Sequence, residues 1–304
     1  MSDITTVAVA GAGVLGSQII MQNAYAGMKV HAFDTEQAVL EKLPARWEWM
    51  RKYYRKDLPE FTEEAFDAAI ARITPTSDYA EAFANCDLVI EAVPEDIEIK
   101  RAVWKTIGQH VREDAVLLTN TSSLLPSEFA DASGHPEHFL ALHHANLIWI
   151  QNIGEVMGHS GTDPAYVERT VKYCESVNLV PVVVQRESSR FILNKMIKPF
   201  LDAGVEMFMT GLATVEDIDK AWTVSTQAPK GPMATMDVIG FRPLALINKH
   251  SENPLVRDFA GLLEERITEG KAGLADGEGF YLWNEDGEII GRSDFGVIAP
   301  ALRH

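Results

Sequence analysis

The chain has 304 residues, a length that accommodates two domains. Its hydrophobic fraction of 46% and charged fraction of 23% are those of a folded globular protein and exclude a disordered or fibrous chain. With 44 acidic and 27 basic residues the formal charge is −17, so the surface repels nucleic-acid phosphates and no nucleic-acid partner is expected.

The cysteine content and the N-terminal sequence indicate the cellular setting. Cys86 and Cys174 are too few and too far apart for a disulfide framework or a thiolate zinc site, and we find no other metal-ligand pattern. The first residues lack a basic segment followed by a long apolar run, and no stretch reaches about 18 apolar residues. We therefore expect no secretion signal, metal or membrane partner, and a cytoplasmic location.

Short apolar runs alternate with helical patterns through the first 186 residues. Because strands separated by helices imply right-handed crossovers, this rhythm predicts a mostly parallel sheet with helices on both faces. The predicted strands are 7–10, 30–33, 88–90, 116–118, 139–142 and 182–184. A segment at about 36–72, rich in helix formers, interrupts the rhythm and predicts an inserted arm of two helices.

The pattern changes after a polar connector at 185–190. From Phe191 onward the apolar residues recur at helical spacing, although Pro199 falls inside the first helix and is expected to kink or break it. We place the domain boundary at residue 186, with an all-α C-terminal domain over 187–304.

The segment Gly11-Ala12-Gly13-Val14-Leu15-Gly16 follows the first predicted strand and begins the first predicted helix. In this context the three glycines allow a tight turn, close approach of a pyrophosphate and close packing of helix on strand. The helix N-terminus then faces the phosphate charge. We interpret the segment as a dinucleotide-binding loop of a Rossmann-type domain; a glycine-rich turn without a ligand is the alternative.

Asp34 follows the second predicted strand, where a carboxylate can accept hydrogen bonds from both ribose hydroxyls of an adenosine. The same carboxylate would repel a 2′-phosphate, and no arginine follows before Arg46. This pattern favours NAD over NADP; a solvent-facing turn residue is the alternative.

Polar side chains follow two more predicted strands, at the sheet edge where open parallel sheets bind ligands. Ser122 lies after the strand 116–118, where it could also cap a helix. His143 ends the strand 139–142 and is a candidate general base, although an ordinary histidine is the alternative. Glu155 lies twelve residues later, so a strand, turn and return could bring its carboxylate to one ring nitrogen of His143.

At these positions the chain resembles the L-3-hydroxyacyl-CoA dehydrogenases, including the short-chain 3-hydroxybutyryl-CoA dehydrogenases, over nearly its whole length. The residues that carry the resemblance are the glycine segment, Asp87-Leu88-Val89-Ile90-Glu91-Ala92-Val93-Pro94-Glu95 with Lys100, Asn120-Thr121-Ser122-Ser123-Leu124, Phe139-Leu140-Ala141-Leu142-His143 with Asn146 and Glu155, Phe191-Ile192-Leu193-Asn194, Glu216-Asp217-Ile218-Asp219 and Gly277-Glu278-Gly279-Phe280-Tyr281.

The resemblance implies an NAD-dependent enzyme of fatty acid metabolism, with a helical domain that contributes to the substrate cleft and forms a homodimer. It implies that His143 is the catalytic base, that Glu155 is its partner, and that Ser122 and Asn194 hold the substrate oxygen. The resemblance also implies that Ala92, Glu95, Lys100 and Asn146 lie near the cofactor. They join the cofactor-binding candidates Gly11, Gly13, Val14, Leu15, Gly16, Asp34 and Ser122.

The chain also departs from the family pattern. The family has two phenylalanines after the catalytic histidine where this chain has His144 and Ala145, and prolines where it has Leu147 and Trp149. The usual Thr-Pro-Gly before the second domain is replaced at 187–190, and the usual basic residues are missing at 274–276. These changes alter the wall of the substrate pocket. They therefore affect the prediction of the substrate more than the prediction of the reaction.

The predicted arm carries a basic cluster in an otherwise acidic chain, and interleaved aromatic residues could stack on an adenine. Phosphates of CoA would suit such a patch; an amphipathic helix with aromatic residues packed inward is the alternative. The candidate substrate-binding residues are Arg51, Lys52, Arg55 and Lys56. Two further hypotheses are an NAD-dependent dehydrogenase of a free hydroxy acid, such as gulonate or carnitine, and a non-catalytic NAD-binding protein.

Overall fold

The computed structural model describes residues 3–296, so residues 297–304 of the predicted C-terminal domain lie outside the described part. The chain divides into two compact units, residues 1–192 and 193–304. The division lies close to the boundary that we predicted at residue 186. No helix in the described part is both long and apolar enough to cross a bilayer.

The first unit is built on an eight-stranded sheet with the strand order β3-β2-β1-β4-β5-β6-β7-β8. Neighbouring strands are parallel except β6 and β7, which are antiparallel. The strands are β1 (Thr6–Ala10), β2 (Lys29–Phe33), β3 (Ile73–Thr76), β4 (Leu88–Glu91), β5 (Val116–Thr119), β6 (Phe139–His144), β7 (Ile153–Gly158) and β8 (Val180–Val183).

Helices cover both faces of this sheet. Because side chains alternate along a strand, Val7 and Val9 of β1 pack into one core and Ala8 and Ala10 into the other. The helices of this unit are α1 (Val14–Tyr25), α2 (Gln37–Leu40), α3 (Leu43–Asp57), α4 (Glu63–Ile70), α5 (Tyr79–Phe83), α6 (Ile97–Ile107) and α7 (Pro164–Ser176). The predicted Rossmann-type architecture is confirmed.

The inserted arm consists of the short helix α2 and the longer helices α3 and α4, instead of two helices. Helix α3 buries Trp47 and Tyr54 against the core of the first unit, whereas Trp49 is 42% exposed. Thr62 caps the N-terminus of helix α4, because its side chain accepts a hydrogen bond from the Ala65 amide. The arm aromatics therefore largely pack inward.

The second unit is helical, as predicted, and also contains a short hairpin that the sequence did not indicate. Helix α8 continues through Pro199 without a break. The elements are α8 (Leu193–Met209), α9 (Val215–Thr226), α10 (Pro232–Ile239), α11 (Phe241–Asn248), α12 (Pro254–Thr268) and the antiparallel strands β9 (Tyr281–Trp283) and β10 (Ile289–Arg292).

Asp237 of α10 attaches the hairpin segment to the helices. Its buried carboxylate accepts hydrogen bonds from the Phe280 amide at 2.8 Å, and from the Tyr281 amide and the Trp283 indole at 2.9 Å each. Since unsatisfied buried donors are costly, Asp237→Ala is expected to lower the free energy of unfolding by about 3 kcal/mol in chemical denaturation. The exposed Asp258→Ala serves as the control, and a loss below about 1 kcal/mol for Asp237→Ala would contradict this role.

Candidate active site

The glycine segment forms a tight loop between β1 and α1. Gly11 has a φ of +100°, and a Cβ atom there would lie 2.6 Å from the Ala92 carbonyl oxygen. A Cβ atom on Gly16 would lie 1.9 Å from the Gly11 oxygen, whereas one on Gly13 would meet no atom within 4 Å. The first and third glycines thus permit close packing, and the second leaves open space beside the N-terminus of α1.

Asp34 adjoins this loop at the end of β2. Its Oδ2 atom accepts a hydrogen bond from the Ala12 amide at 2.9 Å, and its Oδ1 atom accepts one from the Glu36 amide at 3.0 Å. The carboxylate is partly exposed. The Asp34 carboxylate is suited to the adenosine ribose of a dinucleotide. The open space at the second glycine and the helix N-terminus are suited to its pyrophosphate.

His143 and Glu155 form a buried pair on adjacent strands. The antiparallel register of β6 and β7 places the two residues directly opposite each other, with His143 Nδ1 2.7 Å from Glu155 Oε2. The other carboxylate oxygen, Oε1, accepts a hydrogen bond from the Ile192 amide at 2.8 Å. The His143 ring also stacks on Phe191, with ring centroids 4.8 Å apart.

This geometry determines which ring nitrogen can react. Because a carboxylate only accepts hydrogen bonds, Glu155 holds the proton of His143 on Nδ1. Within the described part of the chain no hydrogen bond involves the Nε2 atom of His143. That atom can accept a proton from a substrate hydroxyl, and the carboxylate would then stabilise the imidazolium.

A second carboxylate, Glu95, organises the loop that contains Ser122. One of its oxygens, Oε1, accepts hydrogen bonds from the amides of Ser122 at 2.9 Å and Ser123 at 2.8 Å, and from the hydroxyls of Thr121 at 2.7 Å and Ser123 at 2.8 Å. Burial acts to raise the pKa of Glu95, but these hydrogen bonds and the Lys100 charge together hold it below its ordinary value.

Lys100 is completely buried beneath this carboxylate. Its ammonium lies 2.7 Å from Glu91 Oε1 and 3.5 Å from Glu95 Oε2. The other oxygen of Glu91 accepts hydrogen bonds from the Thr119 hydroxyl at 2.7 Å and the Trp104 indole at 3.2 Å. Since Lys100 has no exposed surface, it is positioned to act on Glu95 and not to touch a ligand directly.

His144 occupies a different environment from its neighbour His143. Its amide and its Nδ1 atom each lie 3.0 Å from the Asn120 side-chain oxygen. Full burial and the adjacent His143 lower the pKa of His144 to about 3, so its ring is neutral at physiological pH. The ring therefore supports Asn120, which follows β5 at the same sheet edge.

Sequence models of two domains together match most of the chain. The model described as 3-hydroxyacyl-CoA dehydrogenase, NAD binding domain, matches residues 6–188, and the one described as 3-hydroxyacyl-CoA dehydrogenase, C-terminal domain, matches residues 191–283. The chain belongs to the 3-hydroxyacyl-CoA dehydrogenase family. It is an NAD-dependent oxidoreductase that acts on small molecules.

Individual relatives of this dehydrogenase align over almost its whole length. The 3-hydroxybutyryl-CoA dehydrogenase of Mycobacterium tuberculosis is 32% identical over 289 residues, covering 93% of this chain and 100% of that protein. The mitochondrial hydroxyacyl-coenzyme A dehydrogenase of Sus scrofa is 28% identical, covering 90% of each chain.

Solved structures also resemble this dehydrogenase over almost its whole length. A diketoreductase, described as performing substrate-directed dual catalysis of dicarbonyl compounds, superposes with a TM-score of 0.88 at 39% identity, covering 93% of this chain and 100% of that one. FadB2 of M. tuberculosis superposes with a TM-score of 0.82 at 29% identity, covering 92% of this chain and 99% of that one.

The other residues predicted for the site of this dehydrogenase lie in several places. Ala92 adjoins the glycine loop, and its amide donates to the Ala10 carbonyl at 2.7 Å. Asn146 is exposed in the loop after β6. Asn194 lies in the first turn of α8, in the second unit. The roles that the resemblance implies for these three residues stay predictions.

The predicted substrate-binding cations of the arm are partly paired with acidic residues of the arm itself. Arg51 lies 2.8 Å from Glu63 and 2.7 Å from Asp67, and Arg55 also pairs with Glu63. Lys52 is exposed. These ion pairs neutralise much of the arginine charge that we had expected to meet phosphates.

Three features of the site were missed in the sequence. Glu91 is the charged last residue of an otherwise apolar strand, which is a readable sign of a group at the sheet edge. Trp149, at a family proline position, donates its indole N–H to Asp57 of α3 at 2.8 Å. Arg46 donates to the glycine loop. The partners of Trp149 and Arg46 lie far away in sequence, so no local pattern indicates them.

The open space at Gly13 leads to a prediction about cofactor binding. Gly13→Ala is expected to raise the Kd for NADH at least about tenfold, because the new methyl group occupies space that a pyrophosphate needs. The melting temperature should stay nearly unchanged, since that methyl group meets no protein atom within 4 Å. Fluorescence titration and thermal unfolding measure the two effects, and Gly261→Ala on α12 is the control. An unchanged Kd would contradict the assignment of the loop.

Proposed function

We propose that this enzyme interconverts an L-3-hydroxyacyl-CoA and a 3-oxoacyl-CoA, with His143 as general base and Glu155 as its partner. The observation that carries the proposal is the buried 2.7 Å contact between His143 Nδ1 and Glu155 Oε2. This contact leaves the Nε2 atom of His143 available to the substrate. The chain also belongs to a family whose relatives are named for this activity.

The proposed chemistry is a coupled proton and hydride transfer. When bound, NAD supplies the hydride acceptor for oxidation, and its reduced form supplies the donor for reduction. In oxidation His143 Nε2 accepts the proton of the 3-hydroxyl group as the C3 hydride departs, which leaves a ketone. Glu155 stabilises the resulting imidazolium, and in reduction the imidazolium returns the proton to the developing alkoxide.

Two polar side chains are proposed to hold the reacting oxygen. The Ser122 hydroxyl belongs to an exposed loop whose amides are held by Glu95, which supports a fixed position for that hydroxyl. Asn194 is assigned through the resemblance. Donors to an oxygen that gains negative charge stabilise the transition state more than the ground state.

A second candidate substrate is a dicarbonyl compound or free hydroxy acid without CoA. The observation that favours it is the pairing of Arg51 and Arg55 with Glu63, because paired cations attract phosphates weakly. The 39% identity to a diketoreductase, described as acting on dicarbonyl compounds, also supports it. The proton and hydride transfers would be the same.

The deciding experiment follows NADH oxidation by absorbance with three substrates in parallel. These are acetoacetyl-CoA, free acetoacetate and 2,4-pentanedione, a dicarbonyl compound with neither CoA nor a carboxylate. The proposal expects a kcat/KM for acetoacetyl-CoA at least about tenfold above the other two. Faster turnover of 2,4-pentanedione or acetoacetate would replace it with the second candidate, and no turnover of any substrate would overturn both.

A double variant of the arm tests the CoA contact separately. Lys52→Met with Lys56→Met is expected to raise the KM for acetoacetyl-CoA severalfold and to leave the KM for NADH unchanged, because the proposed site places these side chains at the CoA phosphates and not at the cofactor. Lys29→Met with Lys105→Met, which removes two exposed positive charges elsewhere, provides a charge-matched control. An unchanged KM for acetoacetyl-CoA would remove the arm lysines from the substrate site.

We further propose that the enzyme is a cytoplasmic homodimer of fatty acid metabolism. Cys86 and Cys174 are both buried free thiols, which supports a reducing compartment. The dimer and the metabolic setting rest on the family resemblance. Sedimentation at several concentrations tests the dimer, and a monomer at micromolar concentration would contradict it.

A further inference from the structure

Arg46 of the arm contacts the backbone of the glycine loop from the side of its carbonyl groups. Its Nη1 atom donates to the carbonyl oxygen of Ala12 and, at 2.6 Å, to that of Gly13. The Ala12 amide is bound at the same time by Asp34 Oδ2 at 2.9 Å. The Arg46 side chain of helix α3 thus binds a loop that lies more than 30 residues earlier in the chain.

These contacts hold two successive peptide groups, the second of them together with the Ser17 amide of α1, which also donates to the Gly13 carbonyl oxygen at 3.0 Å. In a trans peptide the C=O and N–H bonds point in opposite directions. Holding the carbonyls of Ala12 and Gly13 therefore turns the amides of Gly13 and Val14 away from the guanidinium. Within residues 3–296 neither amide donates a hydrogen bond to any other group.

Two successive amides that point the same way form an anion-binding concavity. It coincides with the open space at Gly13 and with the N-terminus of α1, which adds partial positive charge. We propose that Arg46 is a positioning residue for NAD: it presets the Gly13 and Val14 amides to receive the cofactor pyrophosphate. The inference depends on the NAD cofactor and is independent of the proposed substrate.

Direct binding of cofactor fragments tests this role. Calorimetry with ADP-ribose, which contains the pyrophosphate, is compared with calorimetry of adenosine, which contains no phosphate. Arg46→Met is expected to raise the Kd for ADP-ribose about tenfold and to leave that for adenosine within about twofold. In turnover the KM for NADH should rise while kcat at saturating NADH stays unchanged.

Two further variants make the test specific. Lys42→Met removes an exposed positive charge just before α3 and should change neither Kd. Arg46→Lys retains a cationic donor at this position, and we expect it to recover part of the ADP-ribose affinity.

Three outcomes would overturn the inference. An unchanged Kd for ADP-ribose in Arg46→Met would mean that the amides do not need the guanidinium. An equal loss of adenosine and ADP-ribose affinity would assign Arg46 to general support of the arm. If Arg46→Met does not fold, Arg46→Lys decides the matter: it must weaken ADP-ribose binding more than adenosine binding, and equal effects would reject the role.

Discussion

His143→Ala is expected to lower kcat about 1000-fold while the Kd for NADH stays within about twofold. General acid–base catalysis by a positioned side chain contributes about 10² to 10⁴ in rate, and His143 is placed to supply both the base and, in reverse, the acid. The ring is 2.7 Å from its carboxylate partner and stacks on Phe191. Stopped-flow measurement of NADH oxidation and fluorescence titration of NADH give the two quantities.

The adjacent histidine offers a matched control for this variant. His144→Phe keeps the backbone amide that donates to Asn120 and removes only the ring contact to the same oxygen. Because the His144 ring is neutral and buried, we expect kcat to fall less than about fivefold in His144→Phe. A His143→Ala enzyme that retained a tenth of the kcat, or a His144→Phe enzyme that lost as much activity as His143→Ala, would contradict the assignment.

Glu155→Gln is expected to lower kcat by about 100-fold to 1000-fold without loss of the fold. The carboxylate accepts hydrogen bonds on both oxygens, from His143 Nδ1 and from the Ile192 amide. A glutamine side chain has one accepting oxygen, and the Ile192 amide can only donate. The NH₂ group of the substituted side chain would therefore face His143 and move the ring proton to Nε2, which removes the base.

The rate loss in Glu155→Gln must be separated from instability. A lost hydrogen bond at this buried site costs about 1–3 kcal/mol, so thermal unfolding should still show a cooperative transition. Glu175→Gln, on the exposed side of α7, is the matched control. Proton NMR of the histidine rings can assign the tautomer directly. A variant with wild-type kcat, or with the His143 proton still on Nδ1, would refute the proposed partnership.

Apolar runs in the sequence were sufficient to predict most of the sheet. Two strands were not among those predicted. The strand β3 is short, lies at the edge and contains Pro75, which interrupts the apolar pattern. The strand β7 was considered only as the return segment that could bring Glu155 to His143. The arm was predicted as two helices because α2 is only four residues long. The continuous helix α8 shows that packing can outweigh the usual effect of a proline such as Pro199.

The site was predictable where its residues follow strands and less so where contacts join distant segments. The glycines and Asp34 belong to one local unit, so their spacing alone indicated a shared ligand. The approach of Glu155 to His143 required the antiparallel register of β6 and β7, which a spacing of twelve residues permits but does not specify. The complete burial of Lys100 and the pairing of Arg51 with Asp67 depend on tertiary packing.

The location of His143 and Glu155 on adjacent interior strands has a consequence for local unfolding. Strands β6 and β7 have neighbours on both sides, while β3 and β8 form the edges of the sheet. Amide hydrogens in such interior strands exchange with solvent mainly through openings whose free energy approaches that of global unfolding. Loops such as 120–125 open at a lower free energy. Transient fluctuations that open the glycine loop or the Ser122 loop would therefore leave His143 and Glu155, the proposed proton-transfer pair, in contact.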